Sequence, residues 1–488
     1  MELSIRVVGF TCVVLYVSVY AWRHSWFNAL CAMIVLMAFL EHKDMPRAIG
    51  GIAGLNLWNF LYLNVFLAWR HQRSLEGLVW DLPGNLTRAI WLYWIVVVVA
   101  ALRLLIDPTQ YYDSPFTTSV IDNLINPIKV FLPCLMLYDG CRDRERVRLA
   151  LGAIMLAYVL LALQAVKYMG IGSLGMSGTA LSARAIRVLD RVVGYHRVDM
   201  SMIFAGAFWA LIAYAQAFTS RKVRWAILVT VPLLLLGQAV TGGRTGYATW
   251  ILVGLILGFL RWRKFLLLVP VGVVMALAFM PSVRDRMLSG FGGGAGPVKT
   301  ETDLMAVTSG RTAAWPLVID EIKEAPLIGY GKEAMKRTGL HDWIEENKGG
   351  DPTLSGGFSH PHNAYLEMLF DNGILGFLCV APIFFHAFTR SLGLFLRAND
   401  PLFVAAGGVS TALVLALLIA AMGSQTFYPR IGCFGMWAAI GVAWRVVEMR
   451  RQAQERYDDG DSDEDEFLDH CDTEVDLGNE EERTYARL

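Results

Sequence analysis

Apolar runs of near-bilayer length recur at 5–22, 26–40, 49–69, 89–106, 119–138, 148–166, 199–218, 225–241, 245–260, 265–281, 374–389, 402–422 and 431–447. A hydrocarbon core takes about 20 apolar residues per helix, so the pattern predicts an all-α polytopic membrane protein with twelve or thirteen spans. The short run at 26–40 favours about twelve, with one of the first three runs only partly inserted. No small-residue cleavage site follows Ile5 to Trp22, and a second apolar run comes directly after, so the first run reads as a span and not as a removable signal.

The polar interruptions orient the spans. Arg142/Arg144/Arg146/Arg148, Arg221/Lys222/Arg224, Arg261/Arg263/Lys264 and Arg445/Arg450/Arg451 alternate onto one side, which the positive-inside rule makes cytoplasmic. The opposite face then receives 167–198, the turn Thr241 to Arg244, and the long segment 282–372. Four parts result: a transmembrane bundle at 1–281 of about ten spans, an external loop at 282–372, the last transmembrane helices at 373–447, and a tail at 448–488. Within the loop, Ser309 is placed to cap a helix whose residues Ala314, Val318, Ile319 and Ile322 follow helical spacing. That predicts an amphipathic helix on the membrane surface, ending at Ala325-Pro326 before the turn Gly329-Tyr-Gly331.

Composition agrees: 55% of the 488 residues are hydrophobic, 18% are charged and mean hydropathy is +0.45, which excludes an ordinary soluble protein. The net charge of zero conceals a division. Residues 457–488 hold fourteen Asp/Glu against two Arg, leaving 41 Lys/Arg and 29 Asp/Glu elsewhere. The acidic end is therefore a separate, disordered cytoplasmic tail. Five of the seven cysteines lie in apolar runs and Cys141 and Cys471 lie in charged stretches, so no disulfide is expected. There is no phosphate-binding Gly-x-x-x-x-Gly-Lys loop, no His-Glu-x-x-His and no Cys-x-x-Cys, which disfavours an ATP-driven pump or a zinc protease. Neither a metal, another cofactor nor a nucleic-acid partner is expected.

Charges at membrane depth need a partner or a task. Arg103 stands four residues before Asp107, the spacing of a helical ion pair. Arg244, in Thr241-Gly-Gly-Arg-Thr-Gly246, reads either as an interfacial anchor or as a guanidinium aimed at an anion across a glycine-bared backbone. Arg184, Arg187, Arg191 and Arg197 crowd the external end of another span, with Asp190 and Asp199 as candidate neutralising partners; Arg284, Arg286 and Arg311 extend this cationic patch, which suits a phosphorylated lipid. For Arg311 an ion pair with Asp320 or Glu321 is the alternative. His360 and His362 flank Pro361 at the start of a re-entering helix and read as packing residues, as a metal pair lacking a third ligand, or as a general base.

These residues resemble the O-antigen ligases and the related O-antigen and exopolysaccharide polymerases. The ligase pattern of His, then Asn/Ser/Gln, nine residues, Gly, two residues and Gly/Thr/Tyr is matched by His362-Asn363, Gly373 and Gly376. Gly310-Arg311 to Trp315, Pro326 and Gly329-Tyr-Gly331 resemble the preceding family segment. The Arg244 turn is similar to the family's arginine turn, and Arg191-Val-Val-Gly194 to its earlier arginine site, with Arg197 as the other candidate. The resemblance runs from about 184 to 390. It implies a glycosyltransferase C-type fold in the bacterial inner membrane with its active face periplasmic. It also implies a glycan donor on undecaprenyl diphosphate, an acceptor that is lipid A core or another lipid-linked glycan, and metal-independent, inverting transfer. His362 would be the catalytic base; Arg244, Arg191, Arg311, Arg197, His360 and Asn363 would bind substrate. A multi-pass transporter or flippase and a non-catalytic scaffold are the competing classes. The absence of repeated halves weighs against transport.

Overall fold

The computed structural model describes residues 5–45, 54–107, 116–280, 284, 311–347, 360–424 and 427–458. Among these residues every regular element is helical. The amino-terminal helices are α1 (Ile5–Arg23), α2 (Trp26–Leu36), α3 (Leu57–Leu75), α4 (Gly84–Ile106), α5 (Phe116–Gly140) and α6 (Arg144–Met169). The middle set is α7 (Gly178–Ala185, continued by a π-helical stretch Ile186–Val193), α8 (Arg197–Ala215), α9 (Arg221–Val240), α10 (Arg244–Leu260) and α11 (Leu268–Phe279). Then follow α12 (Arg311–Glu324), α13 (Ala334–Arg337), α14 (Leu340–Asn347), α15 (Ala364–Arg397), α16 (Pro401–Ala420) and α17 (Phe434–Asp458).

Eight of the described helices are long and apolar enough to cross a membrane: α4, α5, α6, α8, α9, α15, α16 and α17 with its preceding turn. This is a polytopic membrane protein, and these eight are counted among the described residues alone. Several apolar runs yield short helices: α2 has 11 residues, α10 has 17 and α11 has 12. At about 1.5 Å per residue, α2 rises roughly 16 Å, about half of a hydrocarbon core. The 49–69 run becomes α3, displaced toward the polar end Arg70-His-Gln-Arg73.

The four basic clusters gather at one end of the bundle. Arg142 and Arg445 both pair with Asp81, at 3.1 and 2.7 Å. Arg144 pairs with Asp400, while Arg261 donates to the Phe395 carbonyl at 2.6 Å, just ahead of Asp400 in the chain. The Tyr214 hydroxyl donates to the Arg148 carbonyl at 3.4 Å, which brings the α8–α9 connection to the same end. The bundle is centred on α8 and α16, buried on nearly every side and packed on one another; α10 and α15 flank them. Small residues permit that approach, as where Gly206 faces Ala416.

At the opposite end, α12 to α14 form a cap with its own small core of Ala314, Val318, Ala334, Met335, Leu340 and Ile344, closed by Phe370 of α15. The helix predicted after Ser309 is therefore present as α12 and stops before Pro326. Ala314 and Val318 turn into the cap, whereas Ile319 stays exposed with Leu327 and Ile328. Ser309 itself, the glycine run 290–296 and the tail beyond 458 lie outside the described residues. The tail was drawn from 448, but α17 continues to Asp458, with Arg451 paired to Glu448 and Glu455 one turn either side. None of the six described cysteines is in a disulfide.

Candidate functional site

The His-Pro-His segment forms a tight turn between the cap and α15. His362 has φ of +52°, in the left-handed region that few residues other than glycine adopt, histidine being among the more tolerant. Asn363 returns to an extended conformation and caps α15: its Oδ1 accepts from the Tyr365 and Leu366 amides at 3.0 and 3.3 Å. Three bonds anchor the turn. The Ala364 amide donates to the Ala421 carbonyl at 2.8 Å, the Tyr365 hydroxyl to the Leu418 carbonyl at 2.9 Å, and Trp315 Nε1 of the cap to the Pro361 carbonyl at 2.9 Å. The His360 and His362 rings lie 4.0 Å apart, centre to centre.

The nine-residue spacer of the sequence pattern has a structural meaning. Ala364 to Asn372 make two and a half helical turns, and at Gly373 (φ +63°, ψ −171°) the helix breaks before continuing. The broken helix would leave carbonyls and amides unpaired; segment 326–331 supplies their partners. The Tyr330 and Gly331 amides donate to the Phe370 and Asp371 carbonyls at 2.9 and 2.7 Å. In return the Ile374 and Leu375 amides donate to the Pro326 and Leu327 carbonyls at 2.8 and 3.1 Å. The two backbones cross so closely that a Cβ on Gly373 would stand 2.3 Å from the Leu327 carbonyl, and one on Gly329 2.4 Å from that of Phe370. The glycines are thus required by the crossing that sets the helical rung behind the histidines.

Arg103 closes this crossing, contrary to the expected i, i+4 pair with Asp107. Its guanidinium donates to the Ile328 and Gly329 carbonyls at 2.7 and 2.8 Å, while Asp107 pairs with Arg337 of the cap at 2.9 Å. The carbonyls of the crossing thus take the guanidinium in place of the local carboxylate, which Arg337 occupies. Arg103→Ala should lower the unfolding temperature in detergent by the equivalent of about 2 kcal/mol. Arg103→Lys, which reaches a single carbonyl, should recover part of that; a thermal melt of the detergent-purified protein checks both.

Beside His360 lies a cavity of about 240 Å³ lined by Lys332, Glu367, Asp371, Tyr428 and Arg430 among others. Asp371 is buried; its carboxylate accepts from the Ala334 amide at 3.2 Å and from the Tyr428 hydroxyl at 3.0 Å. The Lys332 ammonium sits 4.6 Å over the Tyr428 ring, and burial holds its pKa below the ordinary lysine value despite nearby Asp371 and Glu367. Burial and Asp371 push the Tyr428 phenol well above its usual value, so it remains a hydrogen-bond donor. A larger space of about 570 Å³ shares Asp122, Pro429 and Arg430 with this one and is lined further by Phe10, Leu57 and Trp58 together with Glu41, Asn59 and Lys129. Asp122, which lines both, lies in a π-helical turn of α5 at Ile121–Ile125.

The arginines form a second cluster. Arg244 is the first residue of α10 and half-buried. The glycines of its turn bury their backbone against α8: a Cβ at Gly243 would stand 2.4 Å from Ser201 Oγ, and at Gly246 closer still. Ser201 Oγ donates to the Gly243 carbonyl at 3.1 Å, and Arg197 Nη1 to the Gly242 carbonyl at 3.3 Å. Arg197 and the Arg244 turn are therefore brought together. Arg191 is exposed on the π-helical stretch of α7. For Arg311 only the helix start is described and its side chain lies outside the described residues, as does any pairing with Asp320 or Glu321; Asp320 itself pairs with Lys323 at 2.7 Å. Asp199 was expected to neutralise a neighbouring arginine. Its carboxylate instead pairs with Arg430 at 3.0 Å, because Arg430 reaches back over the first turn of α8.

Residues 229–381 match the O-antigen ligase family model. No curated protein matches the chain. The matched segment contains the Arg244 turn, the cap, the His-Pro-His turn and the Gly373 crossing; Arg103, which ties the crossing, Asp122 and Arg430, which line the cavity, and Arg197, which joins the Arg244 turn, come from outside it. Sequence reasoning missed Lys332, Glu367, Asp371, Tyr428 and Arg430. One signal was readable: Asp199 heads an apolar run, and a carboxylate there needs a cation from elsewhere in the fold.

Proposed function

We propose that the protein transfers a glycan from undecaprenyl diphosphate to a sugar hydroxyl at the outer face of a bacterial inner membrane, as an O-antigen ligase or a polymerase of that family. The observation that carries this reading is the His362-Asn363 turn locked by cap and crossing beside a cavity, inside the ligase-matched segment. In the step envisaged, His362 accepts the proton of the acceptor hydroxyl as that oxygen attacks the anomeric carbon. The bond from that carbon to the diphosphate breaks, its electron pair leaves on the diphosphate oxygen, and the anomeric configuration inverts. Arg244 and Arg191 bind the diphosphate, with Arg197 and Arg311 as further contacts, and their guanidiniums stabilise the charge that develops there. His360 and Asn363 shape the acceptor side, His360 by lining the cavity and Asn363 by holding the turn. The larger space, whose lining mixes apolar residues such as Phe10 and Trp58 with Glu41, Asn59 and Lys129, supports approach by an amphipathic, lipid-borne donor.

Incubating purified protein with a lipid-linked oligosaccharide, with and without lipid A core, tests the reading on a gel. A ladder without core indicates polymerisation, a single core-linked shift indicates ligation, and no product with either removes the proposal. Arg244→Ala should reduce transfer about 100-fold or more while the protein remains folded and inserted. Activity near wild type would take Arg244 out of the mechanism.

A further inference from the structure

We infer that the 240 Å³ cavity beside His360 receives the acceptor sugar and selects an uncharged ring. This inference rests on the transferase reading and names the acceptor class for that same site. The space equals about eight water molecules at liquid density, on the scale of one sugar ring. Its described lining has four carboxylates, of Asp122, Glu333, Glu367 and Asp371, against two cations, Lys332 and Arg430. Arg430 is already paired to Asp199 at 3.0 Å, which offsets its charge. Asp371 is fixed in place by the Ala334 amide and the Tyr428 hydroxyl, so its carboxyl group cannot swing away from a ligand.

Such a wall receives hydroxyl groups well. Carboxylates accept their hydrogens, and the Lys332 ammonium donates to ring or hydroxyl oxygens. An anionic sugar, phosphorylated or a uronic acid, would instead meet like charge, an arrangement that discriminates by repulsion. Glu367 is placed to report on this, being in the first turn of α15 one helical turn beyond Asn363 and lining the same cavity as His360. The cationic cluster of Arg197 and the Arg244 turn belongs to other helices, so anion and hydroxyl recognition are divided between two sets of residues.

The test uses full-length protein in lipid nanodiscs with an undecaprenyl-diphosphate-linked oligosaccharide as donor. The acceptors are matched glycans ending in an unmodified hexose, a hexose 6-phosphate or a uronic acid. Wild type should use the unmodified acceptor at least about tenfold better in kcat/KM than either anionic one. Glu367→Gln, and Glu333→Gln on a separate element, should each narrow that ratio by raising acceptor KM for the neutral glycan and improving use of the anionic ones. Donor KM should stay unchanged. Equal use of all three acceptors by wild type, or an unaltered ratio in both variants, overturns the acceptor assignment alone. Absence of transfer by wild type to any acceptor overturns the transferase reading beneath it.

Discussion

His362→Asn is expected to yield an inserted, folded protein that transfers glycan at least about 100-fold more slowly than wild type, the usual scale for loss of a general base. Asparagine is the informative replacement because position 362 sits at φ +52°. Asparagine tolerates the left-handed conformation almost as well as glycine, whereas alanine would add backbone strain to the loss of the imidazole. His362→Ala should be equally inactive and somewhat less stable. Single-turnover transfer assays alongside a thermal melt separate the two effects. An asparagine variant within threefold or so of wild type would show that the base lies elsewhere, and His360, with its ring 4.0 Å away, would be the next candidate.

Gly373→Ala should be the most damaging of the substitutions away from the histidines. The new methyl group would stand 2.3 Å from the Leu327 carbonyl, in a conformation (φ +63°, ψ −171°) open essentially to glycine alone. Backbone faces backbone at this contact, so no side chain can swing aside to relieve it. The crossing must open, releasing four main-chain hydrogen bonds and separating the cap from α15, at a cost of several kcal/mol. Transfer should fall to background, and the 326–331 segment should become sensitive to limited proteolysis. Gly393→Ala provides the control in the same helix: nothing lies within 4 Å of its Cβ position, so alanine there should be neutral or slightly stabilising. Equal behaviour of the two variants would mean that the crossing does not hold the site.

What the sequence revealed and what it concealed divide along physical lines. Hydropathy located most of the helices because burial in lipid imposes a period and a length that any window can read. It says less about the length of each span, because an apolar run does not say how much of itself becomes helix, as Trp26–Leu36 shows. The His362 motif was legible because its spacing is local: a cap, two and a half turns and a break all fall within fifteen residues. Pairings such as Asp199 with Arg430 and Arg103 with the 328–329 carbonyls span more than 200 residues, and local spacing carries no trace of them. The Asp107 alternative for Arg103 was reasonable on helical spacing, but it weighed one neighbour and not the carbonyls that a distant helix break leaves open.

The crossing also bears on how substrates move. A roof attached by a flexible loop can lift, but this one is joined to α15 through main-chain hydrogen bonds and interlocked glycines, with the Arg103 guanidinium across the joint. Raising it would strand several amides and carbonyls at roughly 1–3 kcal/mol each. The cap therefore acts as a lintel, and under the proposed function a lipid-borne donor would pass beneath it, by way of the wider space that shares Asp122, Pro429 and Arg430 with the histidine cavity. A doorway of that kind would be indifferent to the length of what trails outside it, so one fixed frame could serve glycans of many sizes.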